Sequence, residues 1–474
     1  MYRQKVQLLA GIETMQTTIG APQSSLFFEQ ALLPEGWARD VRITIVDGRV
    51  ATLDADCAAM PDDDRHGCAL PGLPNLHSHA FQRGMAGLAE IRGPAQDSFW
   101  TWRDVMYRFV ARMTPDDVQA IAALAYVEML EGGFTRVGEF HYLHHDRDGA
   151  RFADPAQMSA AIIAAAAESG VGLTLLPVFY AYAGFGAQAP RAEQARFLHD
   201  IDGYARLIAR AADIAATALP DAIVGVAPHS LRAVSPEQLG LLTALAADRP
   251  IHIHIAEQTG EVDACRAWSG QRPVEWLLDH AAVDARWCLV HATHMTDAEA
   301  TAMARSGAVA GLCPITEANL GDGIFPTAPF LAAGGLYGLG SDSNVLIDAT
   351  EEMRLLEYGQ RLAHRSRNLL ARATGRSTGG DIYTAALAGG AAALGVPSGL
   401  AVGLPADIVS LDLDHPSLVG RTGDGLIDAL TFAAGRAGID CVWRYGTKLV
   451  SHGRHHARAR IVARYRTVLE TLSG

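Results

Sequence analysis

The segment LPGLPNLHSHA, beginning at Leu70, ends an apolar run with His77 and His79 two residues apart. In extended backbone that spacing puts both imidazoles on one face, where they can chelate a single ion. One such pair among 18 histidines is a weak signal. The pattern recurs, however, at Ile251–Glu257 (IHIHIAE), where His252 and His254 alternate and Glu257 follows three residues after His254. A third apolar run, Leu289–His294, carries His291, and a fourth, Leu336–Ser343, ends as GLGSDS with Asp342. Imidazole and carboxylate donors suit zinc or ferrous iron, and three histidines plus one aspartate with room for water make a catalytic arrangement. Only one face of the IHIHI run can look into a common site that Glu257 also reaches, so His254 is expected as the ligand and His252 as packing or as a support behind the ligands.

These residues need a scaffold that brings strand ends together. Between about Pro71 and Gly395, strand-like runs (GLTLLPV, IVGVA, IHIHIA, CLVH, VAGL, LYGLG) alternate with helical text over Pro115–Glu131, Met158–Ser169, Ala192–Ala218, Pro236–Ala247, Val274–His280 and Asp297–Ser306. About eight such alternations fit an α/β (β/α)8 barrel, with a doubly wound open sheet as the alternative; in either, chemistry sits at the C-terminal ends of the strands. Short strands at Leu26–Phe28, Asp40–Val46 and Arg49–Leu53 in the N-terminal part, and at Asp407–Leu411, Cys441–Tyr445 and Lys448–Val450 in the C-terminal part, predict a small β-sandwich domain made from both ends of the chain. The expected division is residues 1–70 with 400–474 for the β domain and 71–399 for the catalytic barrel. Residues up to Met15 read as a leader, with Met15 a plausible alternative start.

Composition narrows the partners. The chain has 474 residues, 49% of them hydrophobic and 19% charged, with a formal net charge of −13. It is therefore a folded chain with a sizeable core, poorly suited to nucleic acid or anionic membrane. Its apolar stretches are far shorter than a bilayer span, and no signal-cleavage pattern is evident, so a cytoplasmic protein is expected. The six cysteines form no CxxC pair and read as buried free thiols. Of the 39 basic residues only Lys5 and Lys448 are lysines.

The terminal β segments together with LPGLPNLHSHA, HIHIAE, LVHATH and GLGSDS resemble the amidohydrolase superfamily over almost the whole chain. Many members bridge two metals with a carbamylated lysine on an interior strand. No lysine lies between Lys5 and Lys448, so the resemblance implies the mononuclear deaminase branch, with His77, His79, His254 and Asp342 at one divalent metal, zinc or iron. Such a cation lowers the pKa of water from 15.7 to about 7 and supplies a nucleophile at neutral pH. Asp342 could then take the water's proton while His291 stabilises the developing charge. Glu257 is free to carry a proton to the nitrogen, which leaves poorly until protonated.

The segments AFQRG after His79, Ser98–Tyr107 (SFWTWRDVMY), GEFHY (Gly138–Tyr142) and APHSLR (Ala227–Arg232) resemble the formiminoglutamate deiminase family within that superfamily. The resemblance implies hydrolysis of N-formimino-L-glutamate to N-formyl-L-glutamate and ammonia in histidine degradation. A small dianion meeting a protein of charge −13 needs planar, permanently cationic partners, for which Arg103 and Arg232 are the candidates, ahead of Arg83 and Arg136. Tyr142 and His229 can add donors, and Gln82 can hold the formimino group. A purine or adenosine-like substrate is the rival, as is release of formamide and glutamate; a catalytically silent scaffold would show a degraded metal set. A homodimer is the expected assembly.

Overall fold

In a computed structural model, residues 23–92 and 99–473 are described; the leader expected before Met15 lies outside them. Eight parallel strand positions form the central barrel: β1 (Leu73–Ser78), β2 (Phe134–His141), β3 (Gly172–Phe179), β4 (split into Ile223–Val224 and Ala227–Pro228), β5 (Ile251–Ile255), β6 (Trp287–His291), β7 (Val309–Leu312) and β8 (Leu336–Leu339). Each pairs with its sequence neighbour, and β8 pairs with β1 through Leu339 and Asn75. Isolated parallel bridges, Val226 to Ile251 and Ser230 to His254, join β4 to β5 and close the ring. The strands of β1, β2, β3, β5, β6 and β7 are buried throughout, as expected where helices cover a parallel sheet from outside.

Local chemistry sets the helix starts. Thr114 with Asp117, Ser235 with Gln238 and Thr296 with Glu299 form capping boxes, the first two with proline at the first helical position. The continuous helix expected over Ala192–Ala218 is instead a 3-10 turn, Ala192–Phe197, followed by a helix at Ile201–Ala218. Asp200 breaks the run because its extended backbone lets its side chain accept from Gly203 N and cap a new helix.

The chain's two ends combine in one eight-stranded sheet. Ile408–Leu411 runs antiparallel to Asp64–Pro71, joining the strands Ile439–Arg444, Thr447–Ser451 and Arg454–His455 to Gln23–Leu33, Gly36–Val46 and Arg49–Asp54. The last of these returns against the segment before Ile408, bonding Val50 N to Leu404 O at 3.0 Å, so the sheet curls over its own core of Phe28, Val41, Ile43, Ile408 and Trp443. Lys448 lies in this sheet and pairs with Asp64 at 2.5 Å. Five cysteines are buried and free, and Cys57 is half-buried. Among the described residues no helix is long and apolar enough to cross a membrane.

The helix Thr378–Leu394 closes on β8 and β1 through small residues. A Cβ at Gly389 would run into the Tyr337 backbone, and one at Gly390 would sit 3.1 Å from Pro74. Glycine in a helix interior normally costs up to about 1 kcal/mol relative to alanine. Here the sign should reverse: Gly389→Ala should lose about 1–3 kcal/mol through overpacking, read as a lower midpoint in urea unfolding at unchanged slope.

Candidate active site

Three strand ends deliver one cluster of four donors. His77 comes from β1, His79 follows it directly, His254 comes from β5 and Asp342 from the segment after β8, and their donor atoms all lie within 4.8 Å of one another in the buried interior. His77 Nε2 stands 3.0 Å from His254 Nε2. Asp342 Oδ1 lies 3.2 Å from His79 Nε2 and 3.5 Å from His77 Nε2. The two rings with protein partners at Nδ1 are oriented by neighbouring strands: His79 Nδ1–H donates to Phe140 O at 2.8 Å and His254 Nδ1–H to His229 O at 3.0 Å. These bonds select the tautomer whose Nε2 lone pair faces the cluster, the arrangement metal-binding histidines require.

Burial keeps His77 and His254 neutral. It pushes His77 down to about 3 against the pull of Asp342, and it sets His254 well below the ordinary histidine range, helped by the surrounding histidines. Burial would raise Asp342, but the polar edges of His77 and His79 beside it override that and hold the carboxylate well below its usual range. Neutral imidazoles around an ionised carboxylate are the donor set that zinc or ferrous iron takes. Cys313 also approaches His291 and Asp342, yet burial and the adjacent carboxylates raise its thiol well above the ordinary range, so it stays protonated. His252 points away, donating through Nε2 to Ala393 O at 2.8 Å, which makes it packing.

The backbone at these strand ends is forced. Ala256 (φ 49°), His291 (φ 66°), Ala292 (φ 48°) and Asp342 (φ 41°) are all left-handed without being glycine, at a cost of about 1–3 kcal/mol each. Neighbouring strands over-determine them. Asp342 N donates to His77 O at 3.0 Å, His79 N to Asp342 O at 2.9 Å and Ala292 N to Ile255 O at 3.0 Å. A buried polar chain locks the Asp342 loop to β1: Asn75 Nδ2 donates to Ser341 Oγ, which donates to Asn344 Oδ1, each at 2.6 Å, and Asn344 Nδ2 donates to Ser78 Oγ at 3.1 Å.

A cavity of about 610 Å³ opens over the cluster. Every substrate-side residue expected from sequence lines it, namely Gln82, Arg103, Tyr142, His229 and Arg232, together with Glu257 and His291. Gln82 Nε2 donates to Tyr142 OH at 2.8 Å, while its buried Oε1 has no partner among the described residues. Arg103, from the helix Phe99–Val110, stacks its guanidinium 4.5 Å from the Trp100 ring centroid, and Arg232 lies 5.8 Å from the same ring. The buried Nε of each arginine lacks a hydrogen-bond partner among the described residues. Arg83 and Arg136 are committed elsewhere, to Glu128 and Asp221. Glu257 lies 3.9 Å from His291 Nε2, and burial pushes its carboxyl up although His291 opposes the shift.

The structure adds wall residues given no role from sequence. Gln194 Nε2 donates to Tyr180 OH at 2.8 Å and to Tyr107 OH at 3.3 Å, and both tyrosines line the cavity. Tyr180 directly follows β3, so its strand-end position was a usable signal. Gln194 was hidden in text read as plain helix.

The amidohydrolase family model matches residues 68–449, and a model of the N-terminal domain of formimidoylglutamate deiminase HutF matches residues 23–67. The chain belongs to the amidohydrolase family. This amidohydrolase is 53% identical over 454 residues to the formimidoylglutamate deiminase of Pseudomonas aeruginosa, covering 95% of this chain and 99% of that protein. A 5-methylthioadenosine/S-adenosylhomocysteine deaminase of Natronomonas pharaonis is 29% identical over 398 residues, covering 82% of this chain and 84% of its own. The crystal structure of an amidohydrolase from Brucella melitensis superposes with a TM-score of 0.93 at 52% identity, over 95% of this chain and all of that one.

The polar chain behind Asp342 gives a test remote from the cavity. Asn75→Leu strands the Ser341 backbone N–H and removes the donor to Ser341 Oγ, which keeps its bond to Asn344. It should cost about 1–3 kcal/mol for each buried group left unsatisfied, measured by urea unfolding. The metal content of the purified variant should fall with it.

Proposed function

We propose that this chain is a metal-dependent formimidoylglutamate deiminase, converting N-formimino-L-glutamate and water to N-formyl-L-glutamate and ammonia in histidine breakdown. The observation that carries the reading is one cavity joining the His77, His79, His254 and Asp342 cluster to the guanidiniums of Arg103 and Arg232, whose buried Nε atoms have no hydrogen-bond partner among the described residues. The 53% identity to the Pseudomonas enzyme supports it. A cytoplasmic homodimer is the setting that accompanies this reading.

His77, His79, His254 and Asp342 would hold the metal, for which zinc is the first choice and ferrous iron the second. Bound there, it supplies Lewis acidity that lowers the pKa of water to about 7. The protein's own groups do the rest. Arg103 and Arg232 bind the two carboxylates through bidentate charge-assisted hydrogen bonds, with His229 and Tyr142 alongside. The unpartnered Gln82 Oε1 accepts from the formimino N–H. Asp342 receives the proton of the attacking water, and His291 donates to the oxygen on which charge develops. Glu257, its carboxyl raised by burial, delivers a proton to the departing nitrogen. Asp342 then passes the water's proton to the same nitrogen, the C–N bond breaks, ammonia leaves, and the hydroxyl proton returns to Glu257 as the oxygen becomes the formyl carbonyl.

An assay offering N-formimino-L-glutamate beside 5-methylthioadenosine, with metal analysis of the same sample, tests the proposal. Ammonia and N-formylglutamate in equal amounts are expected. Glutamate with formamide would overturn the choice of leaving nitrogen, and turnover of the adenosine alone would overturn the substrate. Glu257→Gln should lose about 10²–10⁴-fold in kcat with metal retained. Arg232→Met, removing a charged hydrogen-bonding group worth about 1.5–3 kcal/mol, should raise KM by about 10–100-fold at unchanged metal content.

A further inference from the structure

We propose that Glu317 is the positioning residue for His291, acting on the reaction only through that imidazole. The inference rests on the deaminase reading above. Glu317 sits in the helix Pro314–Leu320, which follows β7, and is buried. Its Oε1 accepts from the Cys313 backbone N–H at 3.0 Å, which fixes the carboxylate, and stands 3.3 Å from His291 Nδ1. The opposite edge of the ring then has one direction to face: His291 Nε2 lies 3.8 Å from Asp342 Oδ2 and 3.9 Å from Glu257 Oε1, between the two carboxylates assigned to proton transfer.

This arrangement differs from that of the metal-side histidines. His79 and His254 rest on backbone carbonyls that no substitution removes. His291 instead rests on a side chain, and its own backbone is left-handed, so the strand end alone does not set the ring. An imidazole ring can flip, and only an acceptor at Nδ1 selects the orientation that presents Nε2 to the reacting oxygen; the ring that donates there carries a proton on both nitrogens, one held by Glu317. Glu317 makes no contact with the four metal-side donors in the network described above, so its loss should leave metal content intact.

Glu317→Ala should lower kcat on the order of 100-fold while KM and metal content stay within about threefold. Glu317→Gln keeps an acceptor oxygen for both Cys313 N and His291, and should restore activity to within about tenfold of wild type. The deciding measurement is a double-mutant cycle: in a His291→Ala background, Glu317→Ala should cost less than about threefold more. A full 100-fold further loss in that background would overturn the proposal, as would a Glu317→Ala enzyme with normal kcat. Should Glu317→Ala fail to fold, the same cycle run with Glu317→Gln and Glu317→Asp decides the question, with Asp, one methylene too short to reach the ring, the more impaired of the two. Wild type that leaves formiminoglutamate untouched would refute the functional reading and this inference together. Active wild type with additive losses refutes only the role of Glu317.

Discussion

Two hydrogen bonds from imidazole Nδ1 to backbone carbonyls, His79 to Phe140 and His254 to His229, set the condition that the rest of the site must satisfy. They make each ring present a bare lone pair toward the centre, and burial keeps His77 and His254 from taking a proton there instead. Their acceptors lie on β2 and at the end of β4, so the ligand geometry depends on the register of strands that contribute no ligand themselves. That dependence accounts for the concentration of left-handed residues at the ends of β5, β6 and β8. The barrel gives up local backbone energy at those points, and the Asn75, Ser341, Asn344 and Ser78 chain holds the strained loop in place.

Charge is arranged as carefully as geometry. In a chain of net charge −13, many arginines are occupied structurally: Arg83 by Glu128, Arg136 and Arg444 by Asp221, Arg458 by Glu131. Arg103 and Arg232 are placed differently, against an aromatic ring rather than a carboxylate. Burial opposes the charge of Arg232, yet Glu261, Tyr180 and Glu257 keep it more firmly protonated. With no hydrogen-bond partner for its Nε among the described residues, each guanidinium keeps that donor for an anion that enters the cavity.

The barrel and its metal-side residues were legible in the sequence because both are written in strand periodicity. Residues at strand ends repeat a short pattern, HxH, HxxE, H and D, and the fold class then dictates that they meet. His252 could be separated from His254 by the same logic, since a strand has two faces. Gln194 and Glu317 were not legible because they act through contacts between segments far apart in the chain. The break at Asp200 was missed because alanine-rich text on both sides outweighed one capping residue. The curl of the terminal sheet depends on contacts such as Val50 with Leu404, which no local pattern announces.

The scarcity of lysine gains a structural meaning from this layout. A second metal of the bridged kind needs an amine on the barrel's interior wall. Lys448 is held in the terminal sheet by Asp64, with its ammonium 4.8 Å from the Trp443 ring centroid, and Lys5 lies outside the described residues. Among the described residues, then, no side chain of the barrel can be carbamylated. The interior is filled by imidazoles and by apolar groups such as Leu76 and Val290. In the proposed reaction the nucleophile would then come from one ion, and with no second cation beside it the stabilisation of developing charge would fall to His291. The orientation of that ring would matter more than in a two-metal site, which would give the buried carboxylate behind it a physical reason.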